Sequence, residues 1–406
     1  MQRGSPALET AAPGRSWLKA IGRNVVYLGV VSGLTDISSE MLYPIMPLFL
    51  TTTLHASMGT VGLIEGTAEA TASIMKAASG LWSDRSQKRK PFVVWGYGLS
   101  ALSKPLLVLA GAWPAVLACR VLDRLGKGVR SSARDALLTA STPPQHWGKA
   151  FGFHRAMDTA GAAIGPLLTV LLMSVFGLGY RTIFLAAAVP AALGVLVLIH
   201  RVKEPPALIA DAPSPATRPR LSRDFKLFLL VYGLFALGNS SDAFLLIKAA
   251  SGGLRPTQVV LAYVLYNTVY ALAATPAGAL ADRLGRTRTL AAGLIVFAAT
   301  YLGFARAGSG AWFWLLFAVY GFYGALAESS LKAAIAQRSA ASARATALGV
   351  FQGASGLLAL AASLAAGWLW SHVSARAPFL FGAGCAATAA LFLLLLPEPR
   401  AEGSEA

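Results

Sequence analysis

Two stretches of this chain repeat one another: Gly80-Leu-Trp-Ser-Asp84-Arg85-Ser-Gln-Lys88-Arg89-Lys90 and Gly278-Ala-Leu-Ala-Asp282-Arg283-Leu-Gly-Arg286-Thr-Arg288. Each is a short charged loop after an apolar run, and the copies lie nearly half a chain apart, which marks an internal duplication. An offset of nearly the same size aligns Ser131 to Phe153 with Glu328 to Val350. After a gap, Asp36-Ile-Ser-Ser-Glu40 aligns with Gly238-Asn-Ser-Ser-Asp242. A duplication on that scale predicts two halves of one architecture.

Composition sets those halves in a membrane. Of 406 residues, 55% are hydrophobic and 13% charged, with a mean hydropathy of +0.58, whereas about a quarter of a soluble domain is charged. Twelve apolar segments can be drawn, at 24–50, 59–83, 91–111, 113–138, 150–175, 180–200, 225–247, 257–281, 289–306, 311–336, 346–371 and 377–397. Each approaches the roughly 20 residues that a helix needs to cross the hydrocarbon core. The runs are continuous and do not alternate with period two, so the expected class is all-α, not a barrel. Two pseudo-symmetric six-helix bundles of parallel topology follow, with a site between them at mid-depth.

The expected boundaries are a cytoplasmic N-terminus with an interfacial helix (1–23), a first bundle (24–202), a proline-rich linker (203–224), a second bundle (225–397) and a short tail (398–406). The N-terminus and even-numbered loops hold about twenty Lys and Arg against about five in the odd loops, which places both termini in the cytoplasm. The expected location is a bacterial inner membrane. The net charge of +17 is read as this topological signal and not as a nucleic-acid footprint. Cys119 and Cys385 lie in apolar segments of opposite halves, so neither a disulfide framework nor a zinc site is indicated. No nucleophile, metal cluster or cofactor pattern stands out, so neither an enzyme nor a cofactor is expected.

With these features in place, the chain resembles a major facilitator superfamily transporter over nearly its whole length. That family's loop pattern, Gly-x-Leu-Ala-Asp-Arg-x-Gly-Arg-Lys, is matched by Gly278, Leu280, Asp282, Arg283, Gly285 and Arg286. The first copy departs from it at Trp82 and Gln87. The resemblance implies alternating access, with Gly80, Asp84, Arg85, Gly278, Asp282, Arg283 and Arg286 as gating loops. Physically, an Asp beside a helix N-terminus gains from the macrodipole, and such a contact can latch one access state. Gly161-Ala-Ala-Ile-Gly165-Pro166 is similar to part of the motif associated with antiporters in the family. It points to proton-coupled efflux.

Ionisable residues inside apolar spans are costly and mark pathways or sites. In the fourth span Arg120, Asp123, Arg124, Lys127, Ser131 and Arg134 fall on one helical stripe. The family's span-four arginine, linked to proton transfer, is approximated by Arg124 or alternatively by Arg120. Glu65, Glu69, Ser73 and Lys76 form a second stripe. Proton-coupling candidates are Glu40, Glu69, Asp242, Asp158 and Asp36, since a carboxyl in a dry site holds its proton until water reaches it. The alternative is structural ion pairing, Glu69 with Arg124 and Asp158 with Arg155.

Candidates for the solute cavity are Glu65, Arg120, Asp123, Arg124, Lys127, Tyr266, Asn267, Tyr270, Tyr320, Glu328 and Lys332. The basic stripe suits an anionic or zwitterionic solute. The aromatics Tyr263, Tyr266, Tyr270, Tyr320, Phe322 and Tyr323 suit an apolar or cationic one. The expected partners are a small solute, protons and lipid, and the expected state is a monomer. A non-transporting receptor or lipid-handling scaffold is the reading of another class.

Overall fold

Apolar stretches this long satisfy their backbone in lipid only as helices. The computed structural model describes residues 22–86, 88–143, 146–205, 221–308, 310–339 and 343–396, and among them it shows helices and no strand. The expected interfacial helix before Gly22, most of the linker and the C-terminal tail lie outside the described residues, as do the side chains of Asp84, Arg85 and Arg344.

The helices group into twelve spans. Span one is Arg23–Leu42, continued by Met46–Leu48 and a π-helical turn Phe49–Thr53. Spans two to six are Met58–Ser86, Lys90–Val108, Trp113–Ala140, Trp147–Ser174 and Tyr180–Arg201. Span seven is Arg223–Gly238 with Ala243–Ser251. Spans eight to twelve are Pro256–Leu284, Arg286–Arg306, Gly310–Gln337, Arg344–His372 and Ala377–Leu395. Nine of them are long and apolar enough to cross a membrane by composition. The other three are spans two, three and four, and spans two and four carry the charged stripes.

Local sequence sets many ends. Proline occupies the first turn of spans three, four, eight and twelve, where its missing N–H has no partner to lose. Ser222 caps span seven, its Oγ accepting from Phe225 N at 3.1 Å. One residue, Gly285 with φ +93°, turns span eight into span nine. Only glycine adopts that conformation without strain, and its counterpart Gln87 lies outside the described residues. The carboxylate of Glu204 returns to the start of span three, accepting from Arg89 N at 3.0 Å and Lys90 N at 2.7 Å, the end at which a helix favours negative charge.

Two spans are broken. In span one the turn at Tyr43–Ile45 follows from Pro44 and Pro47, which interrupt the hydrogen-bond ladder. Span seven is unwound at Asn239–Ser241, leaving Asp242 at the start of the second segment. The repeat places Asp242 opposite Glu40, yet Glu40 lies in unbroken helix.

Within the first half, span one packs on spans five and six, and span four on spans two and three. Between the halves, span two runs along span eleven and span five along span eight. Small residues allow the first of these contacts. A Cβ on Gly66 would stand 3.0 Å from Leu360, and one on Gly367 would stand 2.9 Å from Gly59.

The two ends of the bundle differ. At the odd-loop end one apolar cluster joins Met46, Phe49 and Leu50 of the first half to Ala243, Ile247 and Val260 of the second. At the end bearing the termini, the cluster around Val25, Tyr97, Leu138 and Leu198 belongs to the first half alone. The bundle is closed at one end and open toward the termini.

Candidate functional site

Where the halves face each other at mid-depth they enclose a cavity of about 410 Å³. Span two supplies Glu65, Glu69 and Ser73, and span four supplies Arg124. The unwound part of span seven adds Asn239, Ser240, Ser241 and Asp242, while spans eight and ten add Tyr266, Tyr270, Tyr320, Tyr323 and Glu328. Both halves contribute to this wall, the second supplying most of it.

Five tyrosine rings form a run across the interface. Tyr43 of span one meets Tyr263 with centroids 5.4 Å apart. Tyr263 meets Tyr266 at 5.8 Å, Tyr266 meets Tyr320 at 5.1 Å, and Tyr320 meets Tyr323 at 5.2 Å. Such tilted pairs lie in the favourable range for aromatic contact. Phe322, expected with this group, is 51% exposed on the outer face instead, because it stands one residue off the inward row.

The carboxylates around the cavity differ in their partners. Glu65 receives both bonds from one guanidinium nitrogen of Arg120, at 2.9 and 2.7 Å, and both side chains are 7% exposed. Asp242 accepts from Tyr320 Oη at 2.8 Å. Glu328 accepts from Tyr270 Oη and lies 3.8 Å from Arg155 of span five, an ion pair between the halves. Glu69 faces the cavity with no ion pair or hydrogen bond among the described residues, and Arg124 has no carboxylate within 4 Å.

A chamber of about 30 Å³ lies behind this cavity, inside the first half, between spans one, three and four. Asp36, Ser39, Glu40, Arg120, Lys127 and Arg130 line it, and it shares Tyr43 and Arg124 with the central cavity. It is large enough for one or two waters. Toward the termini a vestibule of about 520 Å³ takes in Asp36, Lys76, Lys127, Arg130, Arg134, Arg155, Asp158 and Asn267. The chamber therefore lies between cavity and vestibule, sharing Asp36, Lys127 and Arg130 with the latter. Glu40 also crosses to the other half, accepting from Tyr263 Oη at 2.9 Å.

The span-four stripe thus does not form one wall. Arg124 reaches the central cavity, Lys127, Ser131 and Arg134 face the vestibule, and Arg120 and Asp123 are buried on carboxylate and ammonium partners. Asp123 pairs with Lys104 of span three at 2.5 Å and accepts from Ser100. Lys104 is 1% exposed, and sequence reasoning passed it over, although a lysine before Pro105 in mid-span was the available signal. Arg130 lies over the Tyr97 ring at 4.2 Å. Asn267 faces the vestibule, its Nδ2 donating to Tyr263 O at 3.2 Å, and Lys332 stands in a separate surface recess with Glu328. The ion pairs expected as alternatives are not those found. Asp158 lies 3.4 Å from His154, one turn away on its own helix, while Arg155 points across to the second half.

The helix motif of span five has a direct role in packing. A Cβ on Gly161 would come within 2.7 Å of Gly33 O and 2.9 Å of Asp36 Cβ, and one on Gly165 within 2.6 Å of Ile37 O and 2.9 Å of Glu40 Cβ. Pro166 is buried beside them, and Thr169 Oγ1 donates to Met41 O at 2.8 Å. Span five thus lies against span one at its two carboxylates. In the second loop copy, Asp282 is exposed and its ion pair is with Arg286 at the start of span nine, at 3.8 Å. Arg283 is exposed.

The same two-half plan is seen across a family of known proteins, whose sequence profile, the Major Facilitator Superfamily, matches residues 28–248 and 228–406. The chain belongs to the Major Facilitator Superfamily. This superfamily member is 37% identical over 392 residues to an uncharacterized MFS-type transporter of Methanocaldococcus jannaschii, covering 93% of this chain and 96% of that one. It is 24% identical over 262 residues to the fosmidomycin resistance protein of Escherichia coli, 62% of this chain and 63% of that protein. In fold it resembles the nucleoside transporter NupG, with a TM-score of 0.77 at 14% identity over 92% of this chain and 99% of that one. The protein is an integral membrane transporter of small solutes, not an enzyme.

Proposed function

We propose that this transporter exports a small solute in exchange for protons, by alternating exposure of the central cavity to the two sides of a bacterial inner membrane with both termini in the cytoplasm. The observation that carries this reading is a mid-depth cavity between the halves that Glu69 and Asp242 line from opposite sides, sealed at the odd-loop end and open toward the termini. Carboxylates exchange protons with whichever solution reaches them, so a cavity that changes sides carries protons one way as solute goes the other. Glu40 and Asp36, which line the chamber, form a second proton site. Its bond to Tyr263 ties the charge of Glu40 to the closure of the halves. The likeness to a resistance protein supports export over uptake.

A second reading, proton-coupled uptake or exchange of an anionic or zwitterionic metabolite, draws on the vestibule, where Lys76, Lys127, Arg130, Arg134 and Arg155 outnumber Asp36, Asp135 and Asp158. Purified protein in proteoliposomes, under pH gradients of either sign and with a solute panel, decides between them. Export predicts solute movement against the proton flux, abolished in Glu69→Gln and Asp242→Asn while both variants still fold. Unchanged gradient-driven flux in both variants would overturn the coupling assignment.

A further inference from the structure

Most charges lining the central cavity are already satisfied by the protein. Glu65 is held by Arg120 at 2.7 Å, Asp242 by the Tyr320 hydroxyl at 2.8 Å, and Glu328 by Tyr270 and Arg155. Two remain: Arg124, the one cation lining this cavity among the described residues, and Glu69. They have opposite sign, yet they stand more than 4 Å apart, too far for an ion pair. The Nε of Arg124 is also buried without a hydrogen-bond partner. A buried polar atom without a partner is costly, and the solvent-exposed carboxylate of Glu69 on the same wall leaves between two groups of opposite sign a gap for a ligand that satisfies both. The rest of the lining is the tyrosine run of the second half, with Tyr266, Tyr320 and Tyr323 at centroid separations of 5.1 and 5.2 Å. Such faces attract ammonium groups and flat rings. The volume of about 410 Å³ lies at the small end for pockets that hold drug-sized molecules.

We propose that the solute is a small zwitterion with an aromatic body, its acid group seated on Arg124, its ammonium on Glu69 and its body against Tyr266, Tyr320 and Tyr323. This rests on the transport reading above and adds to it the chemistry of what is carried. It also supplies a reason for exchange. A proton and the solute's ammonium compete for one carboxylate, so loading the solute displaces the proton, and reprotonation of Glu69 releases the solute. No covalent step is involved.

The experiment uses the full-length protein in detergent and calorimetric titration with tryptophan, tyrosine and phenylalanine, each as four forms of one body: the free amino acid, its methyl ester (cation), its N-acetyl derivative (anion) and the N-acetyl methyl ester (neutral). At least one free amino acid is expected to bind about tenfold or more tightly than its three derivatives, the value of one charge-assisted contact. Arg124→Gln is expected to weaken the free amino acid by about ten- to hundredfold and leave the ester unchanged. Glu69→Gln is expected to weaken the free amino acid and leave the N-acetyl form unchanged, so the form each variant retains shows that it is folded. The proposal is overturned if no free amino acid binds, if the ester binds as well as the free amino acid, or if Arg124→Gln weakens all four forms alike.

Transport separates this proposal from the reading beneath it. Selective binding without flux under a pH gradient would leave the substrate class standing and remove proton exchange. Gradient-driven flux of solutes of another class would do the reverse.

Discussion

Span five can be tested without knowing the solute, because it carries the same substitution in two environments. At Gly165 a Cβ would stand 2.6 Å from Ile37 O, 2.9 Å from Glu40 Cβ and 3.0 Å from Met41 N. Non-bonded heavy atoms prefer about 3.5 Å or more, so Gly165→Ala forces spans one and five apart by about 0.6–0.9 Å at Glu40. Overpacking on this scale costs about 1–3 kcal/mol, against which the better helix propensity of alanine returns at most about 1 kcal/mol. On the same helix Gly152 is exposed, and a Cβ there meets nothing within 4 Å, so Gly152→Ala keeps only the propensity gain. Thermal unfolding of purified protein, followed by tryptophan fluorescence in one detergent, compares the two. Gly165→Ala should melt below wild type and Gly152→Ala at or above it. Equal stability of the two variants would refute the claim that span five is held against the carboxylates of span one by the absence of a side chain.

Removing one partner of the Glu65–Arg120 pair, both 7% exposed, leaves a buried charge, and Glu65→Leu is expected to destabilise by about 3–5 kcal/mol. The double variant Glu65→Leu/Arg120→Met should recover much of that loss in the same melts, and a double variant no better than the single one would contradict the pairing. Tyr263→Phe deletes the hydroxyl that donates to Glu40 across the halves at 2.9 Å, a charge-assisted bond worth about 1.5–3 kcal/mol. Spin labels at Gly152 and Gly349, both on open faces at the end bearing the termini, should report a changed distance distribution in that variant. An unaltered distribution would show that the bond does not bias the access state.

Much of the architecture was legible in the chain itself, because the signals are local. Apolar runs long enough to cross the bilayer, the duplicated Gly-x-x-x-Asp-Arg loop and the prolines at span starts depend on neighbours in sequence, and the observed helices begin and end within a few residues of the drawn segments. Helical spacing likewise brought Glu65, Glu69, Arg124 and Lys127 forward as inward-facing residues, since a charged stripe on an apolar helix has few other places to point.

The partners of those charges were decided only by tertiary structure. A helix places its side chains around 360°, and the rotation of each span against its neighbours determines which carboxylate meets which base. Asp123 therefore met Lys104 and not the cavity, Asp158 met His154 and not Arg155, and Arg155 reached Glu328 in the other half. The repeat, too, is symmetric in sequence but not in packing: span one stays helical through Glu40 while span seven unwinds before Asp242. Sequence determined that there are two matching six-span halves with charge inside them. Folding determined which charges cancel, and so left Arg124 and Glu69 facing one cavity without partners.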